Sequence, residues 1–163
     1  MNILRVVGVT QTFQESDFPV TALADVSLEI QEGSFAVLCG PSGSGKTTLL
    51  NLVGCLAKPT QGKVFFDDFE ISRLSQKELA HFQLRKIGFI FQDYNLIPTF
   101  TAEENMEYPL WLQNVSGMER KKRTEELAKR FGIEKLLNRK PAQMSRGQQQ
   151  RVAVARALIH KPR

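Results

Sequence analysis

The sequence predicts an α/β fold, and three stretches carry that prediction. Phe35-Ala36-Val37-Leu38-Cys39 reads as an apolar strand that runs through a glycine-rich turn into a helix over residues 48–53. Ile87-Gly88-Phe89-Ile90-Phe91 is a second near-continuous apolar run, the pattern of a parallel strand buried on both faces. Residues 93–163 carry mostly helical signals. A chain of 163 residues suits one domain with a real core.

Ahead of these stretches, residues 3–9 and 26–30 have the β-branched and apolar content of strands, separated by a polar, turn-rich segment over 11–19 with one aromatic, Phe13. Taken alone, Phe13 is a packing residue. The turn that joins strand to helix is Gly40-Pro41-Ser42-Gly43-Ser44-Gly45-Lys46-Thr47, which matches the phosphate-binding pattern G-x-x-x-x-G-K-[ST] in its required strand–loop–helix setting. Glycines let the backbone approach a phosphate, and the N–H groups of a helix start favour an anion. Lys46 would supply a mobile positive charge to the β- and γ-phosphates, and the Thr47 hydroxyl a ligand to Mg²⁺. A dinucleotide-binding loop is disfavoured, because its third glycine falls where Thr48 stands.

Further along, Lys58-Pro59-Thr60-Gln61-Gly62 is a turn cluster, residues 63–66 a strand, and Asp67-Asp68 its turn rather than a metal site. Residues 75–85 read as a helix with Leu79 and Phe82 inward and a capping box from Ser75 to Glu78. Gln92 ends the second apolar run, and the carboxyl ends of parallel strands form the ligand edge of open α/β sheets. Its amide is therefore a candidate for Mg²⁺ or water, against the plainer reading of a turn residue. Pro98 and Pro109 bracket residues 101–108. The only tryptophan, Trp111, falls in an apolar neighbourhood with Tyr108 that reads first as core and second as an anchor for another protein. Gly132 fits the end of a charged helix. Met144-Ser145-Arg146-Gly147-Gln148 opens a helix over 149–159 in which Ser145 and Gln148 fit a capping box, while the same helix start would also accept a phosphate.

Composition narrows the class. With 42% hydrophobic and 24% charged residues the chain is neither disordered nor membranous, and no apolar run approaches the ~20 residues that span a bilayer. Met1-Asn2-Ile3-Leu4-Arg5 has no secretory-signal pattern, which points to the cytoplasm. Cys39 and Cys55 lack metal-ligand spacing and read as cytosolic thiols. The net charge of +5 is one patch: residues 118–140 hold nine Lys/Arg and four Asp/Glu, and the remainder balances. Glu119/Arg123, Glu125/Lys129 and Glu126/Arg130 are spaced as pairs on a solvated helix face. That reading is preferred over nucleic-acid binding, which usually brings interleaved aromatics, and contact with anionic lipid beside a membrane partner is a third reading.

Together these pieces resemble the nucleotide-binding domain of ATP-binding cassette (ABC) transporters over essentially the whole chain. Residues 40–47 correspond to its Walker A loop, Gln92 to its Q-loop, and Gln143-Met144-Ser145-Arg146-Gly147-Gln148-Gln149-Gln150-Arg151 to its signature. Gly88-Phe89-Ile90-Phe91-Gln92, Leu96-Ile97-Pro98 and Glu104-Asn105 are similar to the lipoprotein-release and macrolide-export branch. The resemblance implies a P-loop NTPase core with an antiparallel β lobe over about 1–92, a helical subdomain over about 93–150 and a signature helix over about 147–160. It implies ATP with Mg²⁺, the phosphates on residues 40–48, the metal on Thr47 and Gln92, and adenine on Phe13. A second nucleotide-binding domain would meet the first head to tail, bringing Ser145, Arg146, Gly147 and Gln148 over the partner's ATP. The region after Gln92, with Tyr108 and Trp111, would touch a transmembrane permease, holding the domain at the inner face of the cell membrane. No nucleic acid is expected.

Two departures bear on activity. The signature usually reads Leu-Ser-Gly-Gly-Gln, and Met144 and Arg146 stand for its Leu and first Gly. Arg146 adds either bulk near the γ-phosphate or a favourable charge. The family also continues past a segment like Lys161-Pro162-Arg163 into a strand ending Asp-Glu and a later His, which this sequence does not include. The expectation is a domain stopping before Walker B, with no catalytic residue in this chain and negligible turnover alone. The alternatives are a non-catalytic remnant that binds nucleotide or a partner, and a nucleic-acid-associated ATPase. Only 52 residues separate Gln92 from Ser145, too few for the coiled coils of the latter.

Overall fold

Two fourteen-residue strands begin the chain in the computed structural model, which describes residues 1–15 and 18–163. β1 (Asn2–Glu15) and β2 (Phe18–Gln31) pair antiparallel, from Asn2 opposite Gln31 to Glu15 opposite Phe18. Both strands run on through much of the segment that the sequence reads as a loop over 11–19. Ladder bonds are made by backbone, so Thr12 and Gln14 extend the strand despite their polarity. Ser16 and Asp17, part of that expected loop, lie outside the described residues.

On β1 the buried side chains are Leu4 and Val6, then Val9 and Gln11. The alternation changes parity where the register shifts, between Val6 and Val9 against β2 and between Val7 and Thr10 against β3. An extra residue in a strand flips every later side chain to the other face, so the irregularity keeps both halves of β1 buried. β3 (Gln61–Phe66) pairs with the other edge of β1, and β4 (Phe69–Glu70) with β3, giving an antiparallel sheet in the order β2-β1-β3-β4. Asp67 and Asp68 make the tight turn between β3 and β4, at φ 49° and 60°. α1 (Lys46–Val53) buries Leu49 and Leu52. α2 (Gln76–Lys86) buries Leu79, leaves Phe82 half-buried, and starts at the predicted box: Ser75 N donates to Glu78 Oε2 at 2.8 Å, and Glu78 N to Ser75 Oγ at 3.3 Å.

Two predicted strands are corrected. Residues 35–39 and 87–91 join no ladder among the described residues. Apolar composition suits a parallel strand, but a strand exists only with a hydrogen-bonding neighbour. Phe35 is 92% exposed and Val37 69%, so the first run also lacks a covering layer.

The chain divides into two compact units, Met1–Ala80 and His81–Arg163. The second is built on α3 (Ala102–Leu112), α4 (Gly117–Phe131) and α5 (Arg146–Leu158). α3 begins at a capping box made by Thr101 and Glu104 and continues through Pro109, which the sequence places as a bracket. The proline sits in the last turns, where its missing N–H removes a single intrahelical bond. α4 buries Thr124 and Ala128, exposes Lys121, Lys122, Glu125, Glu126, Lys129 and Arg130, turns Arg120 to Glu107 of α3, closes the pair Glu119–Arg123 at 2.7 Å, and ends on left-handed Gly132 at φ 63°. Its sequence is thus a solvated helix face. The core of this unit joins Ala102, Met106 and Leu110 of α3, Ala128 of α4, Ile133, and Val152, Ala155 and Ile159 of the α5 segment, all fully buried.

Candidate functional site

The glycine-rich loop turns into α1 at Gly45, whose φ of 82° is left-handed. A Cβ there would lie 2.6 Å from Ala22 O and 2.8 Å from Leu23 Cδ2, so both conformation and space require glycine. Gly43 is also left-handed, at φ 80°, and a Cβ on Gly40 would lie 2.8 Å from Ser44 Oγ. Ser44 N donates to Pro41 O at 3.3 Å, holding the loop closed on itself. The first intrahelical bond of α1 runs from Leu49 N to Gly45 O at 2.9 Å, which places the N–H groups of Lys46, Thr47 and Thr48 at the open end of the helix.

Lys46 folds back over this loop. Its Nζ donates to Gly40 O at 2.9 Å, Pro41 O at 2.5 Å and Ser44 Oγ at 3.2 Å, one acceptor for each of its three donors. A cation held above a ring of backbone, beside a helix amino terminus, is the arrangement that a polyphosphate requires. The residues present fit that ligand. Thr47 is exposed and offers an oxygen, the donor type a hard Mg²⁺ prefers. Gln92 is exposed in a turn that follows Phe91, with Tyr94 N donating to Phe91 O at 3.1 Å. Phe13 lies on β1 opposite Val20 and is 42% exposed.

Ser145 caps α5. Its N–H donates to Gln148 Oε1 at 2.9 Å, and Gln148 N donates to Ser145 Oγ at 3.3 Å, so the predicted box is present. Met144 is buried in the core of its unit, the place a Leu would fill. Ser145, Arg146 and Gly147 are exposed, and a Cβ on Gly147 would meet nothing within 4 Å. Arg146 opens the first helical turn, where a positive charge opposes the helix dipole and an anion would relieve it.

The predicted aromatic region is one cluster. Ring centroids of Phe100 and Tyr108 lie 5.9 Å apart, those of Phe100 and Trp111 5.9 Å, and those of Tyr108 and Trp111 6.4 Å. Glu107 Oε2 accepts from Trp111 Nε1 at 3.1 Å and from Arg120 Nε at 3.0 Å, while Arg120 lies over the indole at 5.5 Å. The carboxylate therefore orients both neighbours. Glu107 received no role from the sequence, although an acid four residues before a tryptophan on one helix was a usable signal.

Asn105 and Arg156 were also missed. Asn105 is fully buried and binds the 97–101 loop through four hydrogen bonds. Its signal was a lone amide among Ala102, Met106 and Leu110 on the apolar face of α3. Arg156 donates to the carbonyls of Tyr94 and Asn95. Burial pulls the guanidinium below its ordinary pKa.

A family model described as ABC transporter matches residues 23–163. An uncharacterized ABC transporter ATP-binding protein of Thermotoga maritima is 46% identical over 160 residues, covering 98% of this chain and 68% of the relative. The macrolide export ATP-binding/permease protein MacB of Brucella melitensis is 42% identical over 158 residues, covering 97% of this chain and 24% of that protein. Among solved structures, a dimeric post-hydrolysis state of the ATP-binding cassette MJ0796 of Methanocaldococcus jannaschii, bound to ADP and Pi, is 47% identical with a TM-score of 0.91. The match covers 98% of this chain and 70% of that one. Among the described residues no helix is long and apolar enough to cross a membrane.

Proposed function

The chain belongs to the ABC transporter family of ATP-binding proteins, and from that premise we propose that it binds ATP with Mg²⁺ and couples ATP binding and hydrolysis to transport by a membrane partner. One observation carries the reading: the Lys46 ammonium, seated on Gly40 O, Pro41 O and Ser44 Oγ above the glycine loop. On binding, phosphate oxygens replace those three acceptors, and the N–H groups at the start of α1 turn to the same anion. Thr47 and Gln92 would each offer a side-chain oxygen to Mg²⁺, and Phe13 would offer an aromatic face to adenine. The metal, when bound, offsets the phosphate charge.

A second copy meets this one head to tail, and its Ser145 and Gly147 close over the bound ATP, with Arg146 adding a cation. The dimeric MJ0796 cassette, bound to ADP and Pi, supports that arrangement. The cluster of Phe100, Tyr108 and Trp111 faces a transmembrane permease, which places the domain at the inner face of the membrane. Likeness to a macrolide export protein supports export as the direction.

The test is equilibrium binding of ATP and Mg²⁺ to the purified chain and to Lys46→Ala. Loss of the charge-assisted bonds is expected to weaken binding by roughly tenfold to a hundredfold. Equal affinity of the two proteins would overturn the reading.

A further inference from the structure

α5 carries the signature residues at its start and Arg156 near its end. Arg156 Nη1 donates to Asn95 O at 2.5 Å, and Nη2 to Tyr94 O at 2.6 Å. Both carbonyls belong to the residues that directly follow the Gln92–Asp93 turn. Tyr94 at φ 61° and Asn95 at φ 44° are left-handed, and Asn95 N donates to Asp93 O at 2.7 Å. A bulky tyrosine rarely takes that conformation unaided. The guanidinium is a rigid fork that can hold two converging carbonyls at once, which a lysine ammonium on a single flexible stem does poorly.

The segment leading to this turn is fastened by the end of α5 and the residues that follow it. Arg163 N donates to Lys86 O at 3.1 Å, and His160 Nε2 lies 3.2 Å from Ile87 O. Gly88 passes so close that a Cβ there would lie 2.2 Å from Ala157 O. Among the described residues no carboxylate forms an ion pair with Arg156. The two carbonyl dipoles are thus what compensates this half-buried charge.

We propose that Arg156 is a positioning residue for Gln92: its two-pronged hold on Tyr94 and Asn95 sets the turn that presents Gln92 and ties that turn to the helix capped by Ser145. The inference rests on the ATP-binding reading above for the task of Gln92 at Mg²⁺, and on the geometry for the hold itself. A displacement of α5 is then felt beyond Gln92 through this side chain, as it is before Gln92 through the contact of Gly88 with Ala157.

The test compares the wild-type chain, Arg156→Lys, Gln92→Ala and their double variant. Amide exchange at residues 92–96 is expected to quicken at least tenfold in Arg156→Lys, with the interior of α5 unchanged. The ratio of ATP affinities with and without Mg²⁺ is expected to fall alike in Arg156→Lys and Gln92→Ala, and no further in the double variant. Tyr94→Gly, which takes φ 61° without strain, is expected to restore part of that ratio in Arg156→Lys, a rescue that loss of helix packing would not allow. Unchanged exchange at 92–96 overturns the proposal, as does a loosened turn with the Mg²⁺ effect intact. If the wild type and Lys46→Ala bind ATP alike, the ATP-binding reading has failed, and the exchange comparison alone decides whether Arg156 holds the turn. If Arg156→Lys does not fold, Tyr94→Gly is expected to restore its melting transition, and failure to do so also counts against the hold.

Discussion

Asn105 and Ile97 form a two-way bridge between α3 and the loop before it. Ile97 N donates to Asn105 Oδ1 at 2.7 Å, and Asn105 Nδ2 returns a bond to Ile97 O at 3.1 Å. The same Nδ2 reaches Thr101 O at 2.9 Å and Phe100 O at 3.3 Å. A fully buried side chain thus stands in for the ladder partner that this stretch of backbone lacks.

Replacing Asn105 by Ala should cost about 2 kcal/mol, because it removes the partner of the Ile97 N–H and of the Phe100 carbonyl, while Ile97 O and Thr101 O keep the N–H groups of Phe100 and Asn105. Asp is nearly the same size but cannot donate, so Asn105→Asp should be comparably destabilised. Denaturant unfolding of both variants checks this, and a cost below about 1 kcal/mol for either would contradict the bridge's importance.

Gly45 is fixed by both φ and contact, with Ala22 O and Leu23 Cδ2 inside the distance a Cβ tolerates. Gly45→Ala should lower stability by more than about 1 kcal/mol and weaken ATP binding with it. Gly147→Ala meets nothing nearby, so it should leave the stability of the chain unchanged. Melting curves of the two variants side by side test the contrast.

His160 Nδ1 is buried without a partner among the described residues. Burial lowers its pKa below 6.5, against the smaller opposing effect of the Ile87 carbonyl. Above pH 6.5 the ring is neutral folded and unfolded, and its contribution to stability is complete. As the pH falls below 6.5, through the lower folded value, the unfolded chain takes up the proton first and stability is lost. His160→Gln should flatten the acid side of the stability profile between about pH 7 and 5. Parallel profiles for the two proteins would refute the assignment.

Cys39 is exposed just before the phosphate loop, while Cys55 is buried and its thiol is pushed up to about 11. At pH 8 only about one Cys55 in a thousand would carry the reactive thiolate. Maleimide should therefore modify Cys39 rapidly and Cys55 only on unfolding, as peptide mass mapping over time would reveal.

Much of this was legible because it is encoded over a few neighbouring residues. The boxes at Ser75 and Ser145 and the left-handed cap at Gly132 each need only a side chain or a glycine at a fixed offset, and the box at Thr101, which the sequence reading passed over, has the same local form. The glycine loop was legible for the same reason, since Gly40, Gly43, Gly45 and Lys46 act within eight residues of one another. Arg146, Ser145 and Gln148 could likewise be placed at the start of one helix before its neighbours were known.

What sequence could not decide was pairing across distance. Residues 35–39 and 87–91 have strand composition, yet hydrogen-bonding neighbours determine whether a ladder forms, and none is present among the described residues. The parity change on β1 depends on its register with β2 and β3, which no single stretch encodes. Arg156 reads in sequence as one more cation on an amphipathic helix. It becomes the holder of Tyr94 and Asn95 only because folding brings carbonyls sixty-odd positions earlier within 2.6 Å of its guanidinium. Thus the sequence alone determined the glycine loop ahead of α1 and the caps at Ser75, Gly132 and Ser145, whose geometry is local. The tertiary structure decided which strands exist and how the Gln92 turn is held, because hydrogen bonds between distant segments form only once their polar groups are brought together.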